Sequence, residues 1–242
     1  MLTLQRNSDQ ARDRYGRNHI LSSLPRAEYE GLLPALTPVR LNKGEVLYEA
    51  GSPVRDCFFP TSAVFSLLLS TEAGDVIEVG MIGNEGMVGL PAVLHAVEVP
   101  YRVVARADGE ALKIGGRVVQ ERACHGTALH ALLLRYVHRL LFQVSQSVLC
   151  NRFHLTEKRL CRWLLASSDR SQSDTFCLTQ ETIANMLGVP RTNVTMIMCG
   201  LQRKSLVSYT RGRITITDRR GMEAAACECY EMGRNEGRAA FG

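Results

Sequence analysis

Arg191, Thr192, Thr195, Met196 and Arg203 fall in the run PRTNVTMIMCGLQRK, spaced so that a helix would carry them on one side and Val194, Ile197, Met198 and Leu201 on the other. The first group has the chemistry to read a base edge. A guanidinium can donate two parallel hydrogen bonds to guanine, and a threonine methyl or methionine side chain can lie against a thymine methyl. Eight residues past Arg203, Arg211-Gly212-Arg213 joins two alternating apolar segments, LVSYT and RITIT, and two arginines at such a tip suit phosphate oxygens.

Charge supports a polyanionic partner. The 242 residues carry a formal +5, yet residues 1–150 are neutral, 151–220 carry +7 and 221–242 carry −2. Between 190 and 220 alone stand Arg191, Arg203, Lys204, Arg211, Arg213, Arg219 and Arg220 against Asp218. A basic concentration this local is the electrostatic signature of nucleic-acid binding.

The elements that would position these side chains can be read from residues 178–217. Thr179 can cap a helix whose inner face is Ile183, Ala184 and Leu187, with Glu181 in its first turn. Gly188 supplies a turn, and Pro190 suits the first turn of the next helix. The small Ala184 lets the two helices approach, which is the residue logic of a helix-turn-helix followed by a β-hairpin wing. An ordinary helical hairpin is the competing reading. The coincidence of capping, turn, charge and hairpin signals disfavours it.

Upstream, residues 40–116 hold short β-branched runs (VLYEA, CFFPTSAVFSLLL, DVIEVGMI, YRVVARA, EALKI) broken by Gly, Pro, Asn and Asp, the texture of an antiparallel sandwich or barrel. Between 117 and 187 the only glycine is Gly126 and proline is absent, so this stretch should be helical. His130, Leu134, Val137, Leu141, Val144 and Val148 recur at spacings of four and three, as along a coiled-coil seam. Leu129, Leu133, Tyr136 and Leu140 form a second stripe beside them. One stripe should pack on the barrel. The other should meet the same helix of a second copy, unless the whole helix is buried in its own domain.

With these motifs in place, the sequence resembles the Crp/Fnr family of bacterial transcription regulators, most closely over 178–217 and in element order over about residues 20–225. The resemblance implies a homodimer, joined through the long helix, that binds palindromic DNA through the second helix of each motif. It places Arg191, Thr192 and Met196 at base-reading positions, and Thr179, Asn193 and the Arg211–Arg213 wing near phosphates; Thr195 and Arg203 are added on their helical placement. The best-known members carry Glu and Arg where Thr192 and Met196 stand, so their target sequence does not transfer. Members that bind cyclic nucleotides carry Gly-Glu and, after a short helix, Arg-Ser or Arg-Thr. Here Gly89 matches, Leu90 replaces the acid, Val99-Pro100 fall at the Arg-Ser position and Arg102 is displaced by about three residues. A buried phosphate would lack its charge partner. Cyclic nucleotide binding is therefore not expected, and an apolar ligand, another small molecule or no ligand stays open.

Other chemistry finds little footing. The N-terminal segment MLTLQRNSDQARDRYGRNH is polar, and no apolar run approaches the roughly 18 residues that cross a bilayer. A cytoplasmic, reducing setting is expected, so the eight cysteines should be thiols. Cys124, Cys150, Cys161, Cys177 and Cys199 read as small buried hydrophobes, and without a C-x-x-C pair no metal or cofactor is expected. Cys227-x-Cys229 could hold a metal or sense oxidants, but the weight is on packing. His95 and Cys57 read as structural rather than as haem ligands. Cys124-His125, adjacent on a helix, would diverge, so no enzyme is expected.

The resulting fold is α+β. It comprises an N-terminal arm (1–18), an antiparallel jelly-roll barrel like a cyclic-nucleotide-binding domain (19–120), a dimerisation helix (121–155), a winged helix-turn-helix (156–225) and a tail (226–242). The partners this organisation admits are double-stranded DNA, a second copy, an unidentified effector and RNA polymerase, and no membrane. Two alternatives remain: a receptor whose helix-turn-helix contacts protein, and an architectural DNA-binding protein without an effector.

Overall fold

The computed structural model describes residues 17–239. Two compact units emerge: residues through Leu67 with Met81–Leu140, and Leu68–Gly80 with Leu141–Glu236. In chain order the elements begin with α1 (His19–Ser22), α2 (Arg26–Leu32) and a 3-10 turn (Leu33–Ala35), then β1 (Thr37–Leu41), β2 (Val46–Tyr48), β3 (Asp56–Pro60), β4 (Phe65–Ser70) and β5 (Val76–Ile82). A short α3 (Leu90–Val93), β6 (Arg102–Ala105), β7 (Gly109–Gly115), α4 (Gly116–Arg122) and the long α5 (Ala128–Phe153) follow.

The strands of this part form two sheets, β1-β7-β3 and β2-β6-β4-β5, in a jelly-roll-like arrangement. β7 pairs antiparallel with β1 (Val39 opposite Ala111) and with β3 (Phe59 opposite Leu112). Alternation along these strands sends Cys57, Phe59, Leu112 and Ile114 into a core with Ile20, Leu21 and Leu32 of the first helices and Leu129, Leu133 and Tyr136 of α5. Asn18, reckoned with the arm from sequence, is fully buried: its carboxamide oxygen caps α1 and its nitrogen donates to the carbonyls of Pro60 and Gly86. Residues 1–16 of the arm lie outside the described residues.

The central helix begins at Ala128, not 121, because the preceding helix ends at Arg122 with Ala123 as its C-cap, and Gly126, at φ +92°, lies in the turn between the two. The Glu28 carboxylate then accepts hydrogen bonds from the Ala128 and Leu129 amides, 2.8 and 2.9 Å, and satisfies the new helix's first donors. Of the two stripes on α5, Leu129, Leu133 and Tyr136 enter the core, with Leu140 packed partly buried against it. On the other stripe Leu134, Leu141, Val144 and Val148 are 53, 63, 41 and 67% exposed. Val137 departs from the expected seam. It packs partly buried against the same core, since helical period brings it beside Leu133 and Leu140.

The second unit contains α6 (Thr156–Ser171), β8 (Thr175–Cys177), α7 (Gln180–Leu187), α8 (Arg191–Arg203), β9 (Val207–Thr210), β10 (Arg213–Ile216), α9 (Arg219–Ala225) and α10 (Cys229–Ala239). Its sheet has the order β8-β10-β9. The outer part of the β4–β5 hairpin also belongs to this unit, where Trp163 Nε1 donates to Glu78 Oε1 at 2.8 Å. The reading of the cysteines as buried hydrophobes holds for Cys150 and Cys161 but not for Cys124, Cys177 and Cys199, which are exposed. No helix among the described residues is long and apolar enough to cross a membrane.

Candidate nucleic-acid interface

Local chemistry sets the two helices of the motif. The Thr179 hydroxyl accepts from the Thr182 amide at 3.0 Å and starts α7. Gly188 closes it at φ +62°, a conformation that side chains resist, and a Cβ there would also meet Ile77 Cδ1 at 3.2 Å. Val189 N–H returns to the Ala184 carbonyl at 3.0 Å. Pro190 is the N-cap of α8 and not its first turn, so the helix opens on Arg191. Ile183, Ala184 and Leu187 of α7 and Val194, Met198 and Leu201 of α8 are buried, whereas Ile197 is only half-buried.

Sequence reasoning missed a cation beneath this motif. Arg159, nearly buried on α6, donates to the Leu187 carbonyl at the C-terminus of α7, where unpaired carbonyls favour a positive charge.

The outer side of α8 presents Arg191, Thr192, Thr195 and Met196 to solvent, with Met196 68% exposed. Arg191 Nε stands 3.9 Å from Glu181 Oε2. The Thr195 hydroxyl is engaged elsewhere: it donates to Gln180 Oε1 at 2.6 Å and lies 3.1 Å from the Arg191 carbonyl. What Thr195 offers outward is its methyl. Asn193 is half-buried, and its backbone N–H donates to the Pro190 carbonyl. Arg203 ends the helix, twelve residues and about 18 Å along the axis from Arg191. It therefore flanks the base-reading group instead of joining it.

The wing is a two-residue hairpin. Thr210 pairs with Arg213 across the turn, and the residues between them, Arg211 and Gly212, have φ of +50° and +77°. Both Arg211 and Arg213 are exposed.

Not every basic residue in the 190–220 concentration faces outward unopposed. Lys204 Nζ is 2.8 Å from Glu157 Oε1, a hydrogen bond that raises the lysine pKa. Arg219 bonds Asp169, Asp174 and Glu223, and its pKa is raised: burial disfavours the charge, but the hydrogen bond and charge of Asp169 outweigh it. These two cations are paired with carboxylates of their own domain.

In the segment that aligns with the cyclic-nucleotide cassette, Gly89 adopts φ +97° and a Cβ on it would strike the Asp56 carbonyl oxygen at 2.6 Å. Leu90, at the place of the acid, is buried in the core with Met87 and Cys57. Val99 is buried and Pro100 exposed, and Arg102 pairs at the surface with Glu49, 3.1 Å away. The five residues do not converge on a charged cradle. The same loop instead reaches α5: the Tyr136 hydroxyl donates to the Met87 carbonyl at 2.7 Å, and Arg139 faces Glu85 at 3.7 Å.

The Crp-like helix-turn-helix domain matches residues 158–225, and the cyclic nucleotide-binding domain matches residues 38–122. The chain belongs to the Crp/Fnr family. It is a Crp/Fnr-type transcription regulator with a helix-turn-helix DNA-binding domain. Solved structures share the fold of this Crp/Fnr regulator. A crp/fnr-family transcriptional regulator from Eubacterium rectale superposes with a TM-score of 0.65 at 18% identity, covering 84% of this chain and 95% of its own. FixK2 from Bradyrhizobium japonicum gives 0.68 at 13%, covering 79% and 98%. A CRP-family regulator from Thermus thermophilus gives 0.66 at 19%, covering 78% and 96%. No curated protein matches the sequence.

Proposed function

We propose that this Crp/Fnr regulator binds a pseudo-palindromic DNA site as a homodimer, reading bases with Arg191, Thr192 and Met196 and the methyl of Thr195. Thr179, Asn193, Arg203, Arg211 and Arg213 contact phosphates. The observation that carries this reading is the exposure of the first two turns of α8 with an arginine-tipped hairpin in the same domain. The exposed stripe Leu134, Leu141, Val144 and Val148 is the dimer seam: four aliphatic side chains at heptad-like spacing on one helix gain by meeting a second copy. Two recognition helices then enter successive major grooves roughly 34 Å apart.

Any effector the barrel takes is not a cyclic nucleotide, because Leu90 puts buried hydrocarbon where a ribose hydroxyl would need an acid and Arg102 is paired at the surface with Glu49. A gel-shift titration against genomic fragments at several salt concentrations tests the DNA reading. Binding should fall steeply with salt, and its absence on every fragment, or salt-insensitive binding, would refute it. Calorimetric titration with cyclic AMP and cyclic GMP should give no heat of binding; saturable uptake of either would overturn the effector assignment.

A further inference from the structure

Four side chains outside the DNA-reading surface gather in one place. Cys150 and His154 lie one turn apart at the end of α5, and Cys227 and Cys229 precede and open α10. Cys150 Sγ is 3.6 Å from Cys227 Sγ, and Cys229 Sγ is 3.6 Å from His154 Nδ1. All four donor atoms lie within 4.8 Å of one another. A tetrahedral zinc ion with three thiolates and one imidazole has S···S edges of about 3.8 Å and S···N edges of about 3.6 Å, so the thiols and ring are already spaced as its ligands.

We propose that Cys150, His154, Cys227 and Cys229 bind a single zinc ion. The surroundings fit that occupant. The three cysteines are almost completely buried and form a cluster of their own, apart from the aliphatic core. His154 Nε2 lies 3.0 Å from Glu228 Oε1, the residue between the paired cysteines. Nε2–H donates a hydrogen bond to that carboxylate and leaves the Nδ1 lone pair facing the thiols, the carboxylate–histidine–metal arrangement that fixes a ligand's tautomer. Three thiolates and a divalent ion leave one negative charge. The Arg162 guanidinium acts on all three cysteines, and its Nε is buried without a hydrogen-bond partner.

Four protein ligands close the coordination shell, so the ion is structural and leaves no position for substrate. Four donors at the corners of one such tetrahedron, all within 4.8 Å of one another, also leave no room for the bridging sulfides of a multi-iron cluster. On binding, the thiols release their protons to solvent as they become thiolates, and the ion ties the end of the central helix to the segment that follows the DNA-binding domain.

The test uses the full-length protein purified anaerobically. After dialysis, plasma mass spectrometry should find about one zinc per chain, and zinc-free protein titrated with Co2+ should develop visible d–d bands and thiolate-to-cobalt charge transfer. Cys227→Ser and Cys229→Ser should each abolish stoichiometric retention. Glu228→Gln, a change on an exposed side chain that leaves the ligands intact, should keep the native circular dichroism and weaken metal affinity by about 10–100-fold in a chelator competition. Wild-type protein that retains no zinc and takes up no cobalt would overturn the proposal. So would metal binding that survives the cysteine substitutions, or a Cys150–Cys227 disulfide in protein isolated from cells.

Discussion

Arg211→Asn separates the wing's role in DNA binding from its role in folding. Arg211 holds φ +50° and Gly212 φ +77°, the two positive values that a type I′ hairpin turn requires, and Asn-Gly is the pair that such a turn favours most. Arginine at the first position pays the left-handed penalty, and asparagine relieves part of it, so folding stability should rise by about 1 kcal/mol or less. The same change removes one cation from each wing. If each arginine neutralises one phosphate, the slope of log affinity against log salt should flatten by about 0.9 per wing and about 1.8 per dimer. Across a rise in salt from about 50 to about 200 mM, the wild-type advantage should therefore shrink about 12-fold. Fluorescence anisotropy on a labelled operator at four salt concentrations measures the slope, and thermal denaturation measures stability; Arg211→Lys should restore the slope. An unchanged slope in Arg211→Asn, or a loss of affinity that accompanies a loss of stability, would refute the assignment of Arg211 to phosphate.

Three further outcomes follow from the geometry. Arg191→Ala should weaken the cognate site by about 1–3 kcal/mol while changing non-specific binding much less, as read by competition gel shift. Leu141→Glu with Val148→Glu, both on the exposed face of α5, should convert the dimer to monomer in sedimentation velocity without lowering the thermal midpoint of either domain. Gly86→Ala should destabilise the protein by about 1–3 kcal/mol in calorimetry, because a Cβ there would lie 2.5 Å from Tyr136 Cε2, and the penalty should shrink when Tyr136 is first replaced by Leu.

What the sequence disclosed well was the chemistry that acts over a few residues. Thr179, Gly188 and the Val194–Met198–Leu201 spacing each specify a cap, a turn or a buried face from their immediate neighbours, and the helix-turn-helix assembles as those signals require. The two stripes on α5 were visible for the same reason, since a helical period is local. Their depth was not. Val137 satisfies the heptad arithmetic yet packs on the barrel core, because whether a stripe is covered depends on a surface brought in from elsewhere in the chain.

Charge and cysteine counts mislead in a related way. Lys204 and Arg219 enter the basic total as readily as Arg211, but Glu157 and Asp169, 47 and 50 residues away in sequence, pair with them. The density of basic residues near the second helix thus overstates the charge offered to DNA. In the opposite direction, Cys227-x-Cys229 looks too sparse for a metal site when ligand spacing is sought within one segment. Its partners, Cys150 and His154, arrive on a helix more than seventy residues upstream, and only the fold brings the four together. A motif search looks for ligands close in sequence, whereas a tetrahedron needs them close in space. Here the i,i+4 geometry of one helix end supplies two of its corners and a turn leading into another helix supplies the other two.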